Sequence, residues 1–518
     1  MAAGWQTALK DWQDALGPAN VSVDEHELAH AAATTFRTSQ RPRAILRPSS
    51  SDEVSAVVRV AHLHCVPIYV VSGGKNFGLG GRVAPRDGSV ILDLGRMKQI
   101  LEHDEDLAFV RLEPGVTFRE LYDFLKSKGS RLYASTTGGS PDGSVVGNAL
   151  ERGDGSGPLG DRALFACALE VVLPTGEIVH TGFDRFEHSA VSNIQRWGVG
   201  PALDGLFLQS NLGIVTKMTV WLTPLGRFAS SIRFQIVDPA ELAAVIDVLR
   251  ELRLEGTLRA PAGLWNDYRV LSAERSSPAR APRSEVKAAL GSDARWFGFT
   301  SVQAATEEQG VASVRRIEHQ LAPVVDELVV DSRSGTPASG RELFPVDDPG
   351  SCFFQGVPHT ASLRSVYFKK PGAAPEHVDP DRDRCGVLWA CPTLPLRGHD
   401  CLAAVELAER LFDQHGFEPL FALLAHSERA AYFVPMLVYD RDNTGEDDRA
   451  LRCHDEVLSA MVSAGYLPHR LGIQSMSSLP PPRDDFGALL SRLKRAIDPH
   501  DVLAPGRYDF RETWPAED

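Results

Sequence analysis

Much of what would place this chain in a familiar functional class is missing from it. Its cysteines are few and scattered, at Cys65, Cys167, Cys352, Cys385, Cys391, Cys401 and Cys453. They are odd in number and form no CxxC pair, which excludes a thioredoxin-like motif and a zinc ribbon and fits a reduced setting. The looser group Cys385, Cys391 and Cys401 lacks the closely paired ligands of structural zinc, and no metal is expected. No HExxH and no Ser-His-Asp arrangement is visible. No apolar run approaches the roughly 20 residues of a membrane helix. The first residues, MAAGWQTALKDW, have no basic stretch leading into an apolar core, so no secretory signal is expected and the cytoplasm is the simplest location. Basic residues are outnumbered: 54 Lys and Arg stand against 68 Asp and Glu, for a net charge of -14. That balance argues against a nucleic-acid partner, whose phosphates attract cations. Internal repeats and low-complexity tracts are absent too.

What is present is the composition of an ordinary globular protein, with 43% hydrophobic and 24% charged residues. A chain of 518 residues predicts two or three domains. A helix is expected over 51–64, with Ser51 as cap and Asp52 and Glu53 in its first turn. The run Pro67–Val71 reads as a buried strand that ends in glycines. Strands follow at Ser89–Leu94 and Ala108–Leu112, then a helix from Thr117 to about Lys128 that stops at Gly129. Residues 168–181 read as a hairpin turning at Pro174–Gly176, and Gly213–Leu222 as another strand. Near residue 226 the pattern changes. Strand-like runs alternate with long helical ones: Ser230–Val237 and Ala240–Leu252, Trp296–Val302 and Thr306–Leu321, Gly386–Cys391 and Asp400–His415. This predicts an α+β region, a sheet backed by helices. Segments 273–295 and 333–350 read as loops.

Four segments carry chemistry. Val71–Gly81, VSGGKNFGLGG, places five glycines in eleven residues after a buried strand. Its backbone can approach a ligand closely, and successive N–H groups can form a nest for phosphate oxygens. A tight surface turn is the alternative. It is neither a GxGxxG that opens a helix nor a phosphate loop ending in GK[ST]. Thr136–Asn148, TTGGSPDGSVVGN, offers small polar groups to a flavin ring and a diphosphate, or is simply a flexible loop. The third and fourth are Trp197–Met218 and Ile497–Arg507, the latter reading IDPHDVLAPGR.

In this order and at these separations, the four segments resemble the FAD domain of the vanillyl-alcohol oxidase/p-cresol methylhydroxylase family. Segments 143–153, 168–177 and 204–218 are the most similar. The resemblance implies an α+β, two-domain flavoprotein fold. Residues 1–225 and 465–518 would form a discontinuous FAD-binding domain, and 226–464 a cap carrying an antiparallel sheet and the substrate pocket. It implies FAD as cofactor. Gly73, Gly74, Lys75, Asn76, Phe77 and Gly78 would sit at the diphosphate. Gly138, Gly143, Ser144 and Asn148 would line the cofactor, with Gly213, Ile214 and Val215 towards the adenine. Arg507 would lie near the flavin end, where the family usually has Lys.

The chain also departs from the family. Phenol-oxidising members hold the phenolate with two Tyr and an Arg. Leu79 stands at the first Tyr, and His469–Arg470 at the Tyr-Arg pair. The usual Asp beside the flavin is replaced by position with Gly139, and Asp142 nearby is the candidate substitute. The covalent His is replaced by Val387, which implies a dissociable, non-covalent flavin. Arg470 remains to pair an anionic substrate. His469 is either a general base or a plain loop histidine. Arg429 is a further catalytic candidate, Tyr432 lines either the substrate pocket or a core strand, and His359 is a weaker candidate in a loop.

The expected activity is that of an FAD-dependent oxidase or dehydrogenase. It would take a hydride from an alcohol, amine or activated C–H of a small or medium organic substrate, aromatic ones included, and pass electrons to oxygen or another acceptor, in specialised metabolism. A phenol or aryl-alcohol oxidase with a rebuilt pocket is one alternative. A redox-neutral or binding protein on the same fold is the other. Family members often associate, and the resemblance implies a homo-oligomer.

Overall fold

The first sheet of the chain is set by short, apolar, β-branched runs that are buried on both faces. In the computed structural model, which describes residues 2–336 and 341–509, Ile45–Leu46, Val90–Asp93 and Ile68–Val71 pair in parallel, and Val21–Ser22 adds antiparallel to the first. Continuous rather than alternating hydrophobicity is what a parallel sheet covered on both faces requires. Helices Ala2–Leu16 and Ser51–Leu63 pack on it through Trp12, Val54, Val57 and Val58. The cap of the second helix is Ser50, one residue before the expected Ser51, and it accepts from Glu53 N. Ser51 instead hydrogen-bonds the Glu170 carboxylate, so its side chain is committed to tertiary structure.

The second sheet is antiparallel, in the order Ile100–Asp104, Phe109–Leu112, Ile214–Trp221, Ala166–Val172 and Ile178–His180. The helix Phe118–Ser127 starts at a complete capping box between Thr117 and Glu120. It buries Phe118, Leu121 and Leu125 against this sheet.

From Phe228 to Asp440 an eight-stranded antiparallel sheet forms. The sequence-based reading did not name Ala262–Asn266, Glu327–Ser334, Thr393–Pro395 or Leu420–Ala425 among its strands. The segment 273–295, expected to be loop, holds the helix Arg283–Leu290, anchored by buried Val286 and ended by left-handed Gly291. Side chains alternate across the sheet with period two. Ala262, Leu264, Phe421, Leu423 and Phe433 point to a core shared with helices Leu242–Leu254, Glu307–Leu321, Gly398–Gln414 and Glu446–Ser463. Their neighbours Gly263, Trp265, Ala422, Leu424 and Val434 line a cavity on the opposite face, beside the short helix Asp267–Glu274.

The C-terminal segment comes back to the first sheet. Ile68 N donates to Val502 O, and Ala504 N to Ile68 O. Residues 337–340 of the expected loop 333–350, and 510–518 of the expected C-terminal return, lie outside the described residues. Among the described residues no helix is long and apolar enough to cross a membrane.

Candidate active site

The glycine loops, the C-terminal return and the open face of the large sheet enclose one continuous cavity of about 1050 Å³. The strand Ile68–Val71 delivers the first loop to its wall. Gly78 there has φ +77, and a Cβ on it would lie 1.8 Å from Cδ1 of Trp389. Only glycine lets the loop approach that indole, whose Nε1 donates to Phe77 O at 2.8 Å. The Gly78 N–H is spent on Thr35 Oγ1 at 2.9 Å. The N–H groups of Gly73, Gly74, Lys75, Asn76 and Phe77 have no acceptor among the described residues. Consecutive free donors on a cavity wall are a fit for a diphosphate.

The second loop lies against the first, near Gly73 and Ser72, and Gly138, Gly143, Ser144 and Asn148 all line the cavity. The side chains of the last two are already engaged. Ser144 caps the helix Val145–Leu150, accepting from Gly147 N at 2.8 Å and donating to Pro114 O at 2.6 Å. Asn148 Oδ1 accepts from Arg162, a buried guanidinium that also ties down the carbonyls of Ser135, Gly153 and Asp154. Ser144 therefore shapes the wall, while Nδ2 of Asn148 has no acceptor among the described residues. Gly213, Ile214 and Val215 line the wall where the strand Ile214–Trp221 begins.

Arg507 arrives with the C-terminal return. It is buried between the rings of Tyr69 and Tyr508 and pairs with Glu151 at 2.6 Å. Burial opposes charge on Glu151, but Arg507, Arg470 and Tyr508 hold its carboxyl below the ordinary range. Nη1 of Arg507 is buried with no partner among the described residues. An orphaned buried donor is costly, and the residue that carries it lines the cavity.

Arg470 and His469 form the neighbouring wall. Arg470 Nη2 donates to Asn76 Oδ1 at 2.9 Å, which joins it to the first loop, and its Nε is buried without a partner among the described residues. The His469 ring is stacked on Tyr432 at 3.7 Å, and Tyr432 on His426 at 4.0 Å. Burial opposes a charge on His426, yet Asp154 at 2.8 Å and Asp161 at 3.4 Å push it up to about 9, so it is a cation at neutral pH. His469 goes the other way. Burial takes it down to about 4 against the pull of Asp154, with Arg470 and His426 adding repulsion. Its Nδ1 lies 3.0 Å from Cys391 O, an acceptor, so the neutral ring carries its proton there and turns a lone pair on Nε2 outward. A ring with so low a pKa accepts a hydrogen bond but holds a proton poorly, which narrows the general-base role expected for it.

The structure does not bring every candidate to this place. Asp142 points outward, 54% exposed, in an ion pair with Arg119. Arg429 lies on a turn, 80% exposed, beside Glu428. Neither lines the cavity, because each sits on the solvent side of its loop. Val387 is sealed in a core with Met436 and Val438; Trp389 and Cys391 from the same segment reach the cavity instead. Tyr432 stands behind His469, off the cavity wall. Leu79, Lys75, Gly139 and His359 do line it. Cys385 and Cys401 are buried in separate cores, so the three cysteines do not meet. Sequence reasoning missed Asp154, His426, Trp389, Glu151 and Arg269. Only His426 left a usable trace, three residues before Arg429.

Comparison with known proteins agrees with this geometry. Residues 42–182 match a family model described as an FAD binding domain. The chain is 42% identical to the 1'-carboxy-chondrochloren decarboxylase of Chondromyces crocatus, over 99% of each chain. It is 27% identical to the 4-cresol dehydrogenase [hydroxylating] flavoprotein subunit of Pseudomonas putida, over 96% of this chain and 94% of that one. A crystal structure of p-cresol methylhydroxylase with substrate bound superimposes with a TM-score of 0.89 at 26% identity, over 99% of both chains.

Proposed function

Because this chain belongs to the vanillyl-alcohol oxidase/p-cresol methylhydroxylase family of FAD-dependent oxidoreductases, we propose that it removes a hydride from a carbon next to an aromatic ring, in an organic substrate held between Arg470, His469 and the aromatic face of the cap. FAD, bound along the cavity, supplies the two-electron acceptor for that hydride. We take 1–225 with 465–518 as the FAD-binding part and 226–464 as the cap, with the N–H groups of 73–77 on the diphosphate and Arg507 at the flavin. With Val387 sealed in a core, the cofactor is taken to be non-covalent.

The observation that carries this reading is the pairing of a fixed cation with a neutral acceptor on one stretch of wall. Arg470 offers charge to an anionic substrate oxygen. His469 Nε2 accepts from a substrate hydroxyl and keeps it oriented. With leucine and histidine where two tyrosines would stand, a simple para-alkylphenol is held by fewer hydroxyl donors. A second reading is favoured by the 42% identity to a decarboxylase: carbon dioxide is lost together with the hydride. An anion Ar–CH₂–CH(R)–CO₂⁻ then yields Ar–CH=CH–R, CO₂ and one hydride. Charge and electrons balance, and no oxidant beyond the cofactor is required.

The test is anaerobic mixing of the holoenzyme with 4-ethylphenol, vanillyl alcohol and 3-(4-hydroxyphenyl)propanoate. Loss of the visible flavin absorbance, with product carrying one more unsaturation or oxygen, supports hydride removal, and CO₂ release from the acid supports the second reading. A flavin that dithionite reduces but none of these bleaches counts against the proposal.

A further inference from the structure

Away from Arg470, the cavity wall carries a second cation with no anion. Arg269 lies on the helix Asp267–Glu274, just after the strand Ala262–Asn266, and lines the cavity with only 6% of its surface exposed. Its guanidinium sits over the Trp265 ring at 5.2 Å and near Trp389 at 5.9 Å. Its one side-chain hydrogen bond runs from Nη1 to the sulfur of Met436, a weak acceptor, at 3.2 Å. Nε and Nη2 have no acceptor among the described residues. Burial alone brings the group down to about 10, with no carboxylate pulling it back.

The contrast with the other buried guanidiniums of this chain is instructive. Arg507 has Glu151, Arg341 has Glu342, Arg162 has four oxygen acceptors, and Arg253, also without a carboxylate, donates to the carbonyls of Arg259 and His426; Arg269 alone of these five has no oxygen acceptor among the described residues. A buried charge without a partner is unfavourable, and an anion that joins it removes that penalty. The free Nε–Nη2 edge is the one that grips a carboxylate with two parallel hydrogen bonds. The surface beside it, Trp265 against Phe299 at 5.3 Å, suits an aromatic or other apolar body.

We infer that Arg269 is the anchor for a carboxylate carried by the substrate, so that the enzyme acts on an aromatic carboxylic acid held at two points. This rests on the proposed hydride removal for its place in a reaction, but not for the binding it describes. In the decarboxylating reading, release of CO₂ removes the ligand from Arg269 and lets the neutral product leave. In the other, the carboxylate is only a handle.

Calorimetric titration of the holoenzyme with 3-(4-hydroxyphenyl)propanoate and with its methyl ester tests this. The acid is expected to bind at least about 30-fold more tightly than the ester. Arg269→Met is expected to abolish that preference while leaving ester affinity and FAD content unchanged, Arg269→Lys to keep part of it, and Arg470→Met to keep it. Equal binding of acid and ester by the wild type overturns the inference. So does loss of the preference in Arg470→Met alone, or release of FAD from Arg269→Met with both ligands weakened equally, since either places the charge elsewhere. If Arg269→Met does not fold, Arg269→Lys and the wild-type comparison still decide. Tight acid binding without flavin bleaching would reject the reaction and leave the anchor standing.

Discussion

At the scale of single residues, the site holds two histidines in opposite charge states on the two faces of the Tyr432 ring. His426 gains its charge from Asp154 and Asp161, while His469 loses it to burial. The signs of their pH effects follow by linkage. His426, raised from an ordinary value near 6.5, contributes its full stabilisation below that pH, and the contribution is lost as pH rises through about 9. His469, lowered to about 4, contributes above pH 6.5 and loses its contribution as pH falls towards 4. Denaturant unfolding across pH should therefore show a maximum near 6.5. His426→Asn should flatten the alkaline side by on the order of 2 kcal/mol, and His469→Asn the acid side. A kcat/KM profile without a His469 titration between pH 5 and 8 is expected from the same values. The Arg470 pair was legible from sequence because it sits in a recognisable C-terminal segment. Asp154, His426 and Arg269 were not, because each is unremarkable until folding strips away its water and its alternatives. Arg429 and Asp142 misled for the converse reason: a charged side chain on a loop announces its chemistry but not which way it points.

At the scale of elements, two connections fix the cofactor wall. One is the contact of the first glycine loop with Trp389. Gly78→Ala places a methyl group inside the indole and demands a left-handed alanine, so it should cost at least about 2 kcal/mol and weaken FAD retention at least tenfold. Thermal unfolding and FAD content after gel filtration check this. The other is the clamp on the C-terminal return. Lys494, on the helix Phe486–Ile497, is fully buried and donates to Asp498 at 2.7 Å and to the carbonyls of Asn211 and Leu503. Lys494→Met leaves Asp498 buried beside no ammonium. The expected loss is about 3–5 kcal/mol, read by denaturant unfolding, with Arg507 displaced from the cavity as a consequence. Helices and strands of this kind were readable wherever periodicity was long, as in Glu307–Leu321 or Ile214–Trp221. The helix Arg283–Leu290 was hidden because it buries only Val286 and so carries almost no apolar stripe.

At the scale of the whole molecule, residues far apart in sequence, from the first loop to the C-terminal return, share one cavity with the open face of the cap sheet. The α+β layout and the FAD cofactor were readable because glycine loops and closing segment come in a specific order. The aromatic lining was not, since Trp265 and Phe299 alternate with core residues in strands that look alike on both faces. A ligand spanning this cavity binds only the folded chain, so FAD at 100 times its Kd should add about 2.7 kcal/mol to unfolding. The most direct test is the visible spectrum of the purified protein before and after acid precipitation. A yellow protein that releases its FAD to the supernatant is the predicted result. Flavin that stays with the pellet, or a colourless protein that takes up no FAD, would contradict it.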